Sequence, residues 1–194
     1  MAGSDLVAPV LLVALPQVAD PFFRKSVVLL LAHEAEGSFG FILNRTTELK
    51  VADILRDLEI DWGGDPTARA RFGGPVQPQV GTVLFATAGE ELPELPGSSE
   101  VLPGIRVSQH LSELARLAAH PPRRLRLLLG YAGWGGGQLL DEILRHDWLT
   151  APVDHELVFG EETEKVWERG LRSVGVDPDA LPAWTSDESA ESPN

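Results

Sequence analysis

The 194-residue chain predicts an α+β fold: one domain, with a mixed, curved or barrel-like sheet flanked by about four helices. Three observations carry that expectation. Continuous apolar runs too short for buried helices stand between turn residues and read as strands. One pair of runs carries a hairpin signal. Several strands precede the first long helical stripe, so regular β-α-β alternation is not expected.

Taken in order, Pro9–Leu15 is an apolar run stopped by Pro16, and Ser26–Ala32 is a second one. Phe39–Leu43 follows Gly37-Ser38, a spacing that predicts a hairpin turn at that pair. Val51, Ile54, Leu55 and Leu58 form a helical stripe with Asp53, Arg56 and Asp57 opposite. Asp61–Ala70 and Gly89–Glu100 are rich in Gly, Pro and acids and read as surface loops. Val80–Ala86, Gly104–Val107 and Arg124–Leu129 read as strands. Between the last two, Leu111, Leu114, Ala115 and Ala118 make a helix, with Ser108 as N-cap and His120-Pro121 as its stop. Leu139, Leu140, Ile143 and Leu144 form the apolar arc of a third helix. Glu156–Phe159 reads as a strand. A final helix near Glu162–Ser173 buries Val166, Trp167 and Leu171, with Glu161–Lys165 and Glu168–Arg172 as i,i+4 pairs outside. The domain is expected over 1–184, and the polar, acidic stretch 185–194 is expected to be a disordered tail.

Charge narrows the function. Sixteen Lys and Arg against 29 Asp and Glu give a net charge of −13, which suits neither nucleic acid nor anionic lipid. The richest basic stretch, Arg106–Arg126, alternates with apolar residues and reads as a solvated face. There is no cysteine, which excludes thiolate chemistry, disulfides and Cys-ligated metals. The N-terminus does not read as a secretory leader: Asp5 precedes the first basic residue, Arg24, and Pro9 cuts the apolar run. No stretch approaches the ~18 apolar residues of a membrane span. A cytoplasmic protein is expected.

Catalytic templates are absent. The five histidines give no H-x-x-x-H pair, and there is no G-x-S-x-G or S-x-x-K. His33, at a strand end, reads better as a satisfied structural histidine than as a base. The most unusual segment is Gly130-Tyr-Ala-Gly-Trp-Gly-Gly-Gly-Gln138, a glycine-rich turn from strand to helix. Such a turn could cradle phosphate, but no Lys follows and Asp141 and Glu142 would repel an anion. Tight turning with Trp134 packed at the core is one reading, a ligand or peptide surface another. Asn44-Arg45 ends a strand; Asn44 is either a turn former or, with Arg45, part of a polar site. Gly73-Gly74 enters another strand. Asp141, Glu142 and Asp147 could serve a divalent cation. The pairs Asp141–Arg145 and Glu142–His146 instead suggest a solvated helix face.

Asp20-Pro-Phe-Phe, Ser26-Val, His33, Gly37-Ser-Phe-Gly-Phe-Ile-Leu-Asn-Arg45, Gly73-Gly-Pro-Val76, Gly130-Tyr-Ala-Gly-Trp-Gly-Gly-Gly-Gln-Leu139, Glu142 and Trp148-Leu149 occur in one order. In that order and spacing the chain resembles the YqgE/AlgH family of bacterial proteins, from about Leu6 to Leu181. Leu140 stands where the family often has a first Glu. The resemblance implies a compact αβ fold with a curved, barrel-like sheet, a cytosolic location and no established reaction. Some members are labelled transcriptional regulators, but no basic helix-turn-helix is evident here.

The expectation is therefore a non-catalytic binding or regulatory module. Its candidate surface is Asn44, Arg45, Gly73, Gly74, Gly133, Trp134, Gly137, Gln138 and Glu142. No cofactor or metal is expected, and the partner is a protein or small molecule rather than DNA. The alternative is a hydrolase using Asp141 and Glu142 with a divalent cation, or His33.

Overall fold

The computed structural model describes residues 6–160 and 162–182. The acidic stretch 185–194 lies outside them, as does Glu161 of the expected Glu161–Lys165 pair. In chain order come β1 (Val10–Ala14), β2 (Val27–Glu34), β3 (Gly37–Ile42), β4 (Thr46–Lys50), α1 (Val51–Asp57), β5 (Arg69–Phe72) and β6 (Val76–Ala86). Next come β7 (Ser99–Leu102), β8 (Ile105–Ser108), α2 (Leu111–Ala119), β9 (Leu125–Gly135) and α3 (Gln138–Leu144). β10 (Trp148–Ala151), α4 (His155–Val158), α5 (Thr163–Ser173) and a 3₁₀ turn (Pro178–Ala180) complete the order. The α+β class agrees with the sequence reading, as do four helices of seven residues or more among the described residues.

Two compact units can be distinguished, Met1–Asn44 with Ala132–Asn194, and Arg45–Tyr131. In the first, the strands run β10-β1-β2-β3 and then the end of β9, all antiparallel. β1 and the first half of β2 are apolar without alternation because they are fully buried, from Leu11 to Ala14 and from Val27 to Leu30. Each such Val or Leu contributes about 1.5–3 kcal/mol by leaving water. Helix α5 covers this layer with Val166, Trp167 and Leu171. The Trp167 indole donates to the Ala14 carbonyl at 2.8 Å, satisfying its one polar atom inside the core. The β2–β3 register slips between Leu30 and Ala32, a bulge that bends the hairpin.

In the second unit the order is β7-β8-β6-β9-β5-β4. The β5–β9 pair is parallel and the others antiparallel, which makes the sheet mixed. Its core joins Val51 and Leu55 of α1, Leu114 and Leu117 of α2, and Val83, Phe85 and Leu127 of the sheet. No helix among the described residues is long and apolar enough to cross a membrane.

Several local expectations give way. Gly37 and Ser38 are already strand residues, because Glu34 pairs with Gly37 and the turn is Ala35-Glu36. Glu156–Val158 belong to helix α4 and Phe159 is its C-cap, so the segment Glu156–Phe159 is not a strand. Asp154 caps α4 by accepting from Glu156 N at 2.9 Å and Leu157 N at 3.2 Å, and Phe159 N bonds back to His155 O. Ser108 ends β8, and His110 takes the N-cap position of α2. The Ser108 hydroxyl accepts from His110 N at 3.1 Å. The two expected loops give up their ends to β5 and β7.

Candidate functional site

The glycine-rich segment is mostly strand, not turn. β9 continues to Gly135, pairing Gly133 with Phe39 and Gly135 with Gly37, so only Gly136 and Gly137 link it to α3. Extended backbone sends alternate side chains to opposite faces. Ala132 and Trp134 therefore point inward, while Gly133 and Gly135 are exposed.

Trp134, 6% exposed, meets Trp148 of β10 and Phe23 of the preceding turn. The three ring centroids lie 5.8 to 6.0 Å apart, and both contacts of Trp148 are edge-to-face. Glu142, on α3, gathers the indoles. Its Oε2 accepts from Trp134 Nε1 at 2.9 Å and from Trp148 Nε1 at 2.8 Å. Its Oε1 accepts from Gln138 Nε2 at 2.9 Å. Gln138 in turn accepts from Gly135 N at 3.0 Å, which ties the helix start to the strand end.

The pairs expected on the outer face of α3 are therefore not formed. Glu142 turns to the indoles instead of His146, and Arg145 bonds Asp147 at 2.8 Å instead of Asp141. The hydrogen bond and charge of Asp147 hold the Arg145 guanidinium above its usual pKa, and the charges of Glu142 and Asp141 add to this. The apolar arc of α3 is also only partly buried: Leu139 is inside, whereas Leu144 is 76% exposed.

Around this cluster lies a cleft of about 240 Å³. Phe23, Trp134, Trp148, Gly133, Gln138 and Glu142 line it, and Asp20, Gln17, Arg145 and Asp147 complete the polar lining. Of the residues singled out from sequence, the structure brings Gly133, Trp134, Gln138 and Glu142 into this one place. Gly137 starts α3 in a left-handed conformation, φ 78°. His33 is satisfied as expected, its Nδ1 lying 2.7 Å from the Ser38 hydroxyl.

Asn44 is neither a turn former nor a free polar tip. It is 7% exposed, its Oδ1 accepts from Val27 N at 2.8 Å, and its Nδ2 donates to Lys25 O at 2.8 Å. The side chain closes the two backbone groups where β2 begins. Asn44→Ala is expected to lower unfolding stability by about 2–3 kcal/mol, measured by urea denaturation, because both groups lose their buried partner. In the other unit, the Arg45 carbonyl accepts from Phe72 N and Gly73 N donates to Leu129 O, both at 2.8 Å. The Gly74 carbonyl lies against Gly130.

In the sequence, Asp20, Phe23 and Trp148 stand out only as part of an ordered set of motifs. A signal is there for Phe23, since a phenylalanine beside turn residues and far from any stripe needs a place to pack.

A family model described as AlgH-like matches residues 11–179. The chain belongs to the AlgH-like family. A UPF0301 protein of Myxococcus xanthus is 41% identical over 176 residues, covering 90% of this chain and 94% of that one. The solution structure of the AlgH protein from Pseudomonas aeruginosa superposes with a TM-score of 0.73 at 28% identity, covering 100% of this chain and 98% of that one. A crystal structure of a Corynebacterium diphtheriae protein, 23% identical over 89% of both chains, shares the fold with a TM-score of 0.72. This AlgH-like chain therefore keeps the family fold along its whole described length.

Proposed function

We propose that this AlgH-like protein is a non-catalytic binding or regulatory module that takes a protein or small-molecule partner at the Trp134–Glu142 cleft. One observation carries the reading. The carboxylate at the heart of the cleft is occupied by two indoles and an amide, and no Ser, Thr, His or Lys lines the cleft. A general acid or base must be able to reach the proton it moves, which Glu142 so engaged cannot, and the open oxygens of Asp20 and Asp147 have no nucleophilic side chain beside them in the lining. Glu142 instead fixes the shape of a surface. Among the described residues no three His, Asp or Glu gather so as to hold a metal ion. A cytoplasmic setting goes with this reading, given the absence of cysteine. A net charge of −13 makes duplex DNA a poor partner.

Gln138 is exposed and belongs to the cleft wall, so Gln138→Ala can be tested without opening the core. Affinity capture from a lysate of the source organism, with the wild type and Gln138→Ala side by side, is expected to lose a defined set of partners in the variant. Identical capture by a folded variant would remove the cleft from recognition. In the same preparations, retention on duplex DNA is expected to be absent even at low salt, where phosphate contacts are strongest.

A further inference from the structure

We propose that the cleft selects an organic cation, an ammonium or guanidinium group carried on a small apolar body. This rests on the binding reading above and adds the chemistry of the ligand.

The balance of formal charge over an apolar wall carries the proposal. Both indole N–H groups point at Glu142, and so does the Gln138 amide. The Gln17 amide is held by the His146 carbonyl. Arg145 carries the one formal positive charge in the lining and is tied to Asp147. An anion entering the cleft would find both indole N–H groups already turned to Glu142. It would also meet three carboxylates, Asp20, Glu142 and Asp147, for a single guanidinium.

Carboxylate oxygens remain open. Asp20 Oδ1 accepts from Phe22 N at 2.8 Å, and Asp147 Oδ2 accepts from Arg145; the second oxygen of each takes no partner among the described residues. The raised pKa of Arg145 reports the same field, since Asp147, Glu142 and Asp141 all favour positive charge there. The apolar part of the wall is Val18, Ala19, Phe23, Trp134 and Trp148, and aromatic ring faces carry partial negative charge. Trp134 and Trp148 are nearly buried, so the apolar surface open to a ligand is chiefly that of the half-buried Phe23, backed by the two indoles. An acceptor-rich mouth over an aromatic floor favours a cation with an apolar stem.

Two sources supply that chemistry, a free amine and a basic side chain on a protein segment. Four probes separate them: benzylammonium as the free amine, N-acetyl-argininamide as the side chain, and benzyl alcohol and benzoate as neutral and anionic matches of the first. Each is titrated into the full chain while the indole N–H resonances of Trp134 and Trp148 are followed by NMR. At least one cation is expected to shift both resonances saturably, about fivefold more tightly than either uncharged or anionic match. The tighter cation names the source. Asp20→Asn keeps an acceptor for Phe22 N and removes the charge, so it is expected to weaken cation binding about 2- to 5-fold. Added salt is expected to act in the same direction.

Benzoate or benzyl alcohol binding as tightly as benzylammonium would overturn the cation assignment and leave the cleft as a binding site. Silence from all four probes would also overturn it; the binding reading itself then stands or falls on the Gln138→Ala capture comparison.

Discussion

Glu142→Ala is expected to remove about 3 kcal/mol of unfolding free energy, a large share of the 5–15 kcal/mol typical of a domain. The reason is local. Trp134 and Trp148 are 6% and 3% exposed, and both indole N–H groups end on the same carboxylate oxygen. A hydrogen bond to a charged group contributes about 1.5–3 kcal/mol net, and a buried donor left without an acceptor loses all of that. The third donor, Gln138, is exposed and finds water, so its loss adds little. Glu142→Gln separates charge from geometry. Its carbonyl oxygen can still receive both indoles, while its NH₂ opposes the Gln138 amide, so about 1 kcal/mol is expected to go. Urea midpoints at unchanged slope give both numbers, and a double-mutant cycle with Trp148→Phe gives the coupling. An alanine variant as stable as the glutamine variant would mean that the indoles do not depend on this carboxylate.

That cluster also explains how much of the site the sequence disclosed. The buried strands were legible because Leu11–Ala14 and Val27–Leu30 are apolar on both faces, and amphipathic α2 and α5 were legible from their stripes. β4 was not, because Thr46–Lys50 is nearly all exposed and its strand character comes from pairing with β5. α4 does not show in the sequence because the three-residue apolar run Leu157–Phe159 has no period of its own; the Asp154 cap decides it. Glu142 was placed on a solvated face by its spacing from His146. Helical spacing governs neighbours on one helix, whereas the partners that won came from β9 and β10. Tertiary donors with buried N–H groups outcompete an exposed i,i+4 pair, which adds only about 0.3–0.5 kcal/mol.

Gly130 lies within β9 rather than in a turn, and Gly130→Ala tests what the glycine is needed for. Gly130 sits inside β9 with φ 70°, a left-handed conformation that costs a residue with a Cβ about 1–2 kcal/mol. A Cβ there would also lie 2.3 Å from the Gly74 carbonyl oxygen and 2.9 Å from that of Val76, both backbone atoms with no rotamer to yield. Displacing packed backbone adds about 1–3 kcal/mol, so a total loss of about 3–4 kcal/mol is expected. Gly137 is the internal control, because its φ is 78° and nothing lies within 4 Å of its would-be Cβ. Gly137→Ala is therefore expected to lose only the conformational part, about 1 kcal/mol. Thermal or urea unfolding of the two variants isolates the close approach as the difference between them. Equal losses would mean that Gly130 is required for its torsion alone. The larger loss at Gly130 would mean that Gly130 is small because the Gly74 and Val76 carbonyls approach β9 at backbone distance there, and a ligand need not be invoked for it.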